Sequence, residues 1–291
     1  MPASLSIIGA GRLGQTLAKL WHDQACFKLE QIYRRSAKSC LEARDFIGAE
    51  SAICANTFEE LHPCDIWLIA TPDSAFANTC EKLKHTIRPG DIVFHCSGAL
   101  SSDELTLLKQ QGAFTASIHP LHSFARPAQS VTQFAGSHCA CEGDENALNI
   151  LRPAFENIGG QCFRIEGNKW LYHAGSVIAC NYLAPLMEAS YQAFAAAGID
   201  QKLADTLLQP LLSGTLENIR QQGPATALTG PIARGDHDFV SAQWQALNDT
   251  DSELAELYRD MAKYTTRLAL QRDNSEELNA KLQKLRGIFE E

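Results

Sequence analysis

The stretch SLSIIGAGRLGQTLAKL, residues 4 to 20, sets three glycines between a short apolar run and a segment with helical spacing. Gly9, Gly11 and Gly14 fit G-x-G-x-x-G, with a strand before them and a helix after them. In that context Gly9 makes the tight turn, Gly11 lets a diphosphate approach the backbone, and Gly14 lets helix and strand pack closely. The free N–H groups of the corner, on Ala10, Arg12 and Leu13 as well as the glycines, would then attract phosphate. The bland alternative is an ordinary strand-to-helix turn with incidental glycines. About twenty residues on, an acidic residue would hold the ribose 2′-hydroxyl of NAD, but the chain reads Ile32-Tyr33-Arg34-Arg35-Ser36. Two guanidinium groups and a hydroxyl suit a 2′-phosphate, so the expected cofactor is NADP(H). The competing reading makes Arg34 and Arg35 a solvated surface turn.

Outward from this corner, β-type runs alternate with helical segments up to about residue 166, the pattern of a mostly parallel sheet covered by helices. The expected strands are 4–8, 28–33, 51–54, 65–70, 91–95, 113–118, 137–141 and 161–165. From Asn168 a long helical stretch runs to Gly198, with Asn168 as N-cap and Pro185 as a candidate kink. Helical spacing continues over 200–222, 236–247, 251–271 and 275–289. The expected fold is therefore α/β: a Rossmann-type doubly wound domain, 1–166, followed by an all-α substrate and dimerisation domain, 167–291.

The chain has 291 residues, 45% of them hydrophobic, and a formal charge of -9. That balance argues against nucleic-acid or anionic-membrane partners, which need a concentrated basic footprint. No apolar run reaches the ~18 residues of a membrane helix. The start of the chain lacks the features of a secretory signal. Ten cysteines follow neither a zinc spacing nor a small-domain disulfide framework, so reduced thiols in a cytoplasm, and no metal, are expected.

The stretches IIGAGRLG and IYRRS, with the all-α second half, resemble the group containing pyrroline-5-carboxylate reductase, ketopantoate reductase, prephenate dehydrogenase and the 6-phosphogluconate and β-hydroxyacid dehydrogenases. HCSGALSSDEL (95–105), SIHPLHSF (117–124) and LTGPIARGD (228–236) are more closely similar to a Rossmann-fold family of NADP-dependent oxidoreductases with a C-terminal domain of unknown function. The resemblance covers nearly the whole chain and implies a fold and a cofactor without naming a substrate. It also implies a homodimer through the helical domain and an active site between the domains.

Ligands of open α/β sheets bind outside the carboxyl ends of the strands. ATPDSAF (70–76) follows one strand, and by the resemblance Ala70, Thr71 and Pro72 border the nicotinamide. Ser97 and Gly98 follow the next strand as substrate contacts. His119 follows the sixth, with His122 a weaker candidate and Pro120 stiffening the loop. Either histidine could equally tie the loop down. Lys169 and His173 stand four residues apart on one helix face. The helix dipole and desolvation both lower the proton affinity of Lys169, which suits proton exchange. In the β-hydroxyacid and ketopantoate relatives a lysine and an asparagine four residues later handle the substrate oxygen; here His173 replaces the asparagine. Asn181, two turns on, is a candidate substrate anchor or a helix bridge. Arg234 offers a planar fork for an anion, unless it pairs with Asp236 or Asp238, and Asp236 is expected to cap the following helix.

These residues lead to an NADPH-dependent reductase of a small carbonyl, imine or hydroxy acid, with Lys169, His173 and His119 catalytic. The alternative is a non-catalytic NADP-binding dimer that reports redox state to a partner.

Overall fold

Ile66–Ile69 (β4) and Ile92–His95 (β5) are buried at every position, which is why they read as unbroken apolar runs. In the computed structural model, which describes residues 2–272 and 275–290, they lie at the centre of an eight-stranded sheet. Ser4–Ile8 (β1), Lys28–Tyr33 (β2) and Ile53–Ala55 (β3) lie on one side of them, and Phe114–Pro120 (β6), His138–Gly143 (β7) and Gln161–Arg164 (β8) on the other. The order is β3-β2-β1-β4-β5-β6-β7-β8. All neighbours are parallel except β6 and β7, which pair antiparallel. The strand order reverses between β1 and β4, which opens a crevice at the carboxyl ends of those strands.

Alternation along the central strands divides the core between the two faces. Ile66, Leu68 and Phe94 pack with Trp21 of Arg12–Asp23 (α1) and with Leu151 and Phe155 of helix Glu145–Asn157. Trp21 meets Phe155 edge-on at 5.2 Å and gives its indole N–H to the Ala154 carbonyl. Trp67, Ile69 and Val93 face the other way, onto Phe76, Cys80 and Leu83 of helix Phe76–Leu83. Ala37–Ile47 (α2) follows β2, Phe76–Leu83 is α3, and Thr106–Lys109 (α4), Pro127–Gln133 (α5) and Glu145–Asn157 (α6) complete the cover.

The single helix expected over 168–198 is broken. Asn168 does cap Lys169–Ser176 (α7), accepting from the N–H groups of Trp170 and Leu171. A π turn then occupies Val177–Asn181, and Leu183–Ala196 (α8) follows. Pro185 has no N–H for the Asn181 carbonyl, so the regular ladder fails one turn before the proline rather than at it.

The chain forms two compact units, Met1–Ala179 and Cys180–Glu291. The first holds the sheet and α7. The second contains α8, Gln201–Gln222 (α9), Pro224–Ala227 (α10), Pro231–Arg234 (α11), His237–Thr250 (α12), Ser252–Ala269 (α13) and Glu276–Glu290 (α14). Its core is Val240, Ala262, Ala269, Leu282 and Leu285. By contrast α8 buries no residue, and α9 buries only Ala204 and Leu208. Among the described residues no helix is long and apolar enough to cross a membrane.

Candidate active site

Gly9 has φ +92, and a Cβ there would meet the Ala70 carbonyl oxygen and the Thr71 nitrogen at 2.9 Å. Its N–H bonds the Tyr33 carbonyl, tying β1 to β2. A Cβ on Gly14 would come to 3.2 Å of the Gly9 carbonyl and 3.5 Å of Ile7 and Ala70. Gly11 differs, because a Cβ there would meet nothing closer than 4.0 Å. Gly11 is the N-cap of α1, a helix with no side-chain cap and no acidic residue in its first turn. The corner thus presents backbone donors and a positive dipole end to whatever lies in front of it.

What lies there is a cleft of about 760 Å³. Gly9, Gly11, Arg12 and Leu13 form one wall, Arg34 and Arg35 stand at the end of β2, and Ala70, Thr71 and Pro72 form the facing wall. The Thr71 hydroxyl is buried without a partner among the described residues. Arg34 reaches the Ser39 carbonyl at 3.2 Å, while Arg35 is exposed. Two further expected contacts are otherwise engaged: the Gly11 N–H bonds the Gly9 carbonyl at 2.7 Å, and the Ser36 hydroxyl accepts from Ser39 N–H as the cap of α2. An anion with two phosphoryl groups at the corner and a third at the guanidinium groups fits these donors.

The cleft continues to His95, Cys96 and Ser97. His95, Ser117 and Glu142 sit side by side across β5, β6 and β7, as the strand registers dictate. Lys169, only 5% exposed, reaches into this row from the start of α7. Its ammonium is 2.5 Å from Ser117 Oγ, 3.0 Å from the Ser97 carbonyl and 3.6 Å from Glu142 Oε1. Glu142 is held on both oxygens by Ser102, from its N–H at 2.8 Å and its hydroxyl at 2.6 Å. Burial lowers the proton affinity of Lys169, and the Glu142 carboxylate opposes that effect. His95 accepts the Ser97 N–H at Nδ1 and bonds the Ser101 carbonyl through Nε2, which fixes its tautomer. Burial first, then the Lys169 charge, pulls its pKa down to about 3, so this ring is neutral.

One turn along α7, Tyr172 and His173 meet His119. The Tyr172 hydroxyl is 3.0 Å from His119 Nδ1, and the two imidazoles lie 5.8 Å apart, edge to face. Both rings crowd Gly98. A Cβ there would fall on His173 Nδ1 and come within 2.9 Å of His119 Cε1 and Nε2. His173 Nδ1 is buried with no partner among the described residues. Burial, followed by the charges of His173 and Lys169, pulls His119 down to about 4.

Ser97, Gly98, His119, Lys169 and His173 are thus brought together within the first unit. The Ser97 side chain is occupied, donating to Asp73 at 3.0 Å and accepting from the N–H groups of Ala99 and Leu100. His122 turns the other way, bonded to Ser137 and packed against Phe124 and Phe134. Asn181 is exposed at the end of the π turn, in the second unit. Arg234, in the same unit and 63% exposed, pairs with Asp236 at 2.9 Å. Asp236 spends its carboxylate on that pair and makes no side-chain cap on α12. Ser117, Glu142 and Tyr172 were absent from the sequence reading. Glu142 enters through the reversed strand β7, and the spacing of Tyr172 three residues after Lys169 was its one available signal.

Residues 2–120 match the Rossmann-like domain family, and residues 137–265 match the family described as Domain of unknown function (DUF2520). The two matched segments together span most of the chain. The cluster draws on both: Gly98, Ser117 and His119 come from the Rossmann-like segment, and Glu142, Lys169, Tyr172 and His173 from the DUF2520 segment. Comparison with curated proteins gives no match. Among solved structures, a Bacteroides fragilis protein provisionally assigned as an NADP oxidoreductase is 20% identical, with TM-score 0.76 over 91% of this chain and 98% of its own. A Thermotoga maritima protein is 28% identical, with TM-score 0.68 over 92% and 98%. An imine reductase from Bacillus cereus is 14% identical, with TM-score 0.58 over 96% and 99%.

Proposed function

We propose that this protein is an NADP(H)-dependent oxidoreductase that reduces a small carbonyl or imine, or oxidises the corresponding hydroxy acid. The observation that carries the reading is one cleft running from the guanidinium groups at the end of β2, past an uncapped helix start, to the Ser97 loop. The descriptions of the Bacteroides fragilis and Bacillus cereus proteins support the same class. In this reading the N–H groups of Arg12 and Leu13 hold the diphosphate, Arg34 and Arg35 the 2′-phosphate, and the Thr71 hydroxyl the nicotinamide side. The dinucleotide, when bound, supplies the hydride.

This chain's residues do the rest. Gly98, lacking a side chain, lets the two imidazoles close over its backbone at the end of the Ser97 loop. His173 passes the proton to the developing oxyanion or amine, and His119 hydrogen-bonds the same atom. Lys169, its hydrogens directed to protein acceptors, holds positive charge beside the site and stabilises negative charge as it develops. The second unit would pair two copies of the chain. The apolar residues Leu203, Leu207 and Leu211 recur every four positions on α9, 49%, 45% and 63% exposed. Together α8 and α9 offer about 50 Å of little-covered helix, enough for a footprint approaching the ~800 Å² per partner of a stable interface.

Two measurements test the enzyme reading: calorimetric binding of NADPH and NADH, and NADPH oxidation against keto acids, aldehydes, ketones and cyclic imines. NADPH binding that weakens in Arg34→Ala, with turnover of at least one class, is the expected result. No heat with either cofactor at low salt would overturn it, and binding without any turnover would favour a redox-reporting dimer.

A further inference from the structure

We infer that Tyr172 is a positioning residue for His119, giving its hydroxyl hydrogen to Nδ1 and so fixing the tautomer that carries the ring hydrogen on Nε2, over Gly98. The inference rests on the proposed reading that the Gly98 side of the ring meets substrate. It begins with the 3.0 Å contact between the Tyr172 hydroxyl and Nδ1 and the edge-on ring pair, with centroids 5.6 Å apart. A contact of that length has two forms, phenol to imidazole or imidazole to phenol. A phenol is the better donor of the two, and its hydrogen meets no other acceptor among the described residues. If the ring donated instead, that hydrogen would be left without a protein partner.

The groups facing His119 are Tyr172, His173, Lys169 and the neutral His95. None is an acid that would hold a second proton on the ring. Burial with the neighbouring charges keeps the imidazole neutral near pH 7, at about 4, and burial keeps the phenol protonated, at about 12. One hydrogen therefore belongs to the ring and one to the phenol. With Nδ1 accepting, the ring hydrogen sits on Nε2, on the edge that comes within 2.9 Å of the Cβ position of Gly98.

The chemical consequence is that His119 offers a hydrogen-bond donor, not a base. The atom it meets must accept, as a carbonyl oxygen or a neutral imine nitrogen does. A protonated iminium N–H would face a donor here, beside the Lys169 ammonium, and would be disfavoured.

The test is long-range proton–nitrogen NMR on the full chain labelled with 15N-histidine, the His119 signals being assigned by their loss in His119→Asn. The expected wild-type spectrum near pH 7 has hydrogen on Nε2 and a bare Nδ1. Tyr172→Phe is expected to shift population toward the Nδ1–H form and to lower kcat at least about tenfold, with KM little changed. A wild-type spectrum with hydrogen on Nδ1 overturns the inference, even if Tyr172→Phe fails to fold. So does a tautomer unchanged in a folded Tyr172→Phe. The spectrum needs no turnover, so failure of the oxidoreductase reading would appear separately, in the NADPH assays.

Discussion

Lys169 and Glu142 answer each other's charge inside the first unit, and each is also hydrogen-bonded, the lysine to Ser117 and Ser97 and the glutamate to Ser102. Removing one member of such a pair leaves the other uncompensated in a poorly solvated place. Lys169→Met is expected to lower unfolding stability in urea by roughly 3 kcal/mol. Adding Glu142→Gln should recover part of that loss, and additive losses would show that the two side chains do not interact. His95 supplies a second residue-level expectation. Its folded pKa, about 3, lies below the ordinary histidine range, so the unfolded chain takes up a proton that the native ring refuses. Stability from this ring is complete above about pH 6.5 and falls as the pH drops toward 3, by up to about 1.4 kcal/mol per pH unit. His119 adds to the slope down to about pH 4. Thermal midpoints measured between pH 7 and 4.5 should decline, and less steeply in His95→Asn. At this scale the sequence exposed Lys169 and His173 by their place in the first turns of a helix, and His119 by its place near the carboxyl end of a strand. His119 and Pro120 nevertheless lie within β6, paired with β7, and not in a loop after it. It could not expose Glu142, whose partner Ser117 stands beside it only through strand pairing.

The corner between β1 and α1 was legible because three glycines with different burdens fall between a strand and a helix. The structure separates those burdens. Gly9→Ala is expected to destabilise the fold by at least about 1–2 kcal/mol, since φ +92 and two backbone atoms at 2.9 Å both oppose a methyl group. Gly11→Ala should fold normally but bind NADPH roughly tenfold more weakly, because its methyl group would stand where the diphosphate approaches the backbone. Circular dichroism melts and calorimetry separate the two effects, and equal losses in both variants would contradict the assignment. The strands were legible for a simple reason: burial on both faces removes polar interruptions from β4 and β5. The direction of β7 was not, because apolar patterning is the same whichever way a strand runs. The end of α7 was missed as well, since its letters are helix formers and only the missing N–H of Pro185 opens the turn.

For the whole molecule, the second unit carries the expectation of self-association. Helices α8 and α9 bury almost nothing within the chain, although α8 is rich in apolar residues and α9 exposes Leu203, Leu207 and Leu211. Sedimentation velocity is expected to give twice the 31.9 kDa chain mass, and Leu207→Glu with Leu211→Glu should shift the population to single chains. A wild-type monomer at micromolar concentration would remove the proposal. The change from alternating strands and helices to continuous helical spacing made a two-part division readable, although α7 belongs to the first unit and not the second.

The antiparallel joint between β6 and β7 has one more consequence. Sliding β7 by a single position would turn Glu142 to the opposite side of the sheet and bring Cys141 or Gly143 beside Ser117. The lysine would then find no counter-charge there, so an incorrectly threaded strand carries its own electrostatic penalty. The same pair that equips the pocket thereby proofreads the assembly of the sheet.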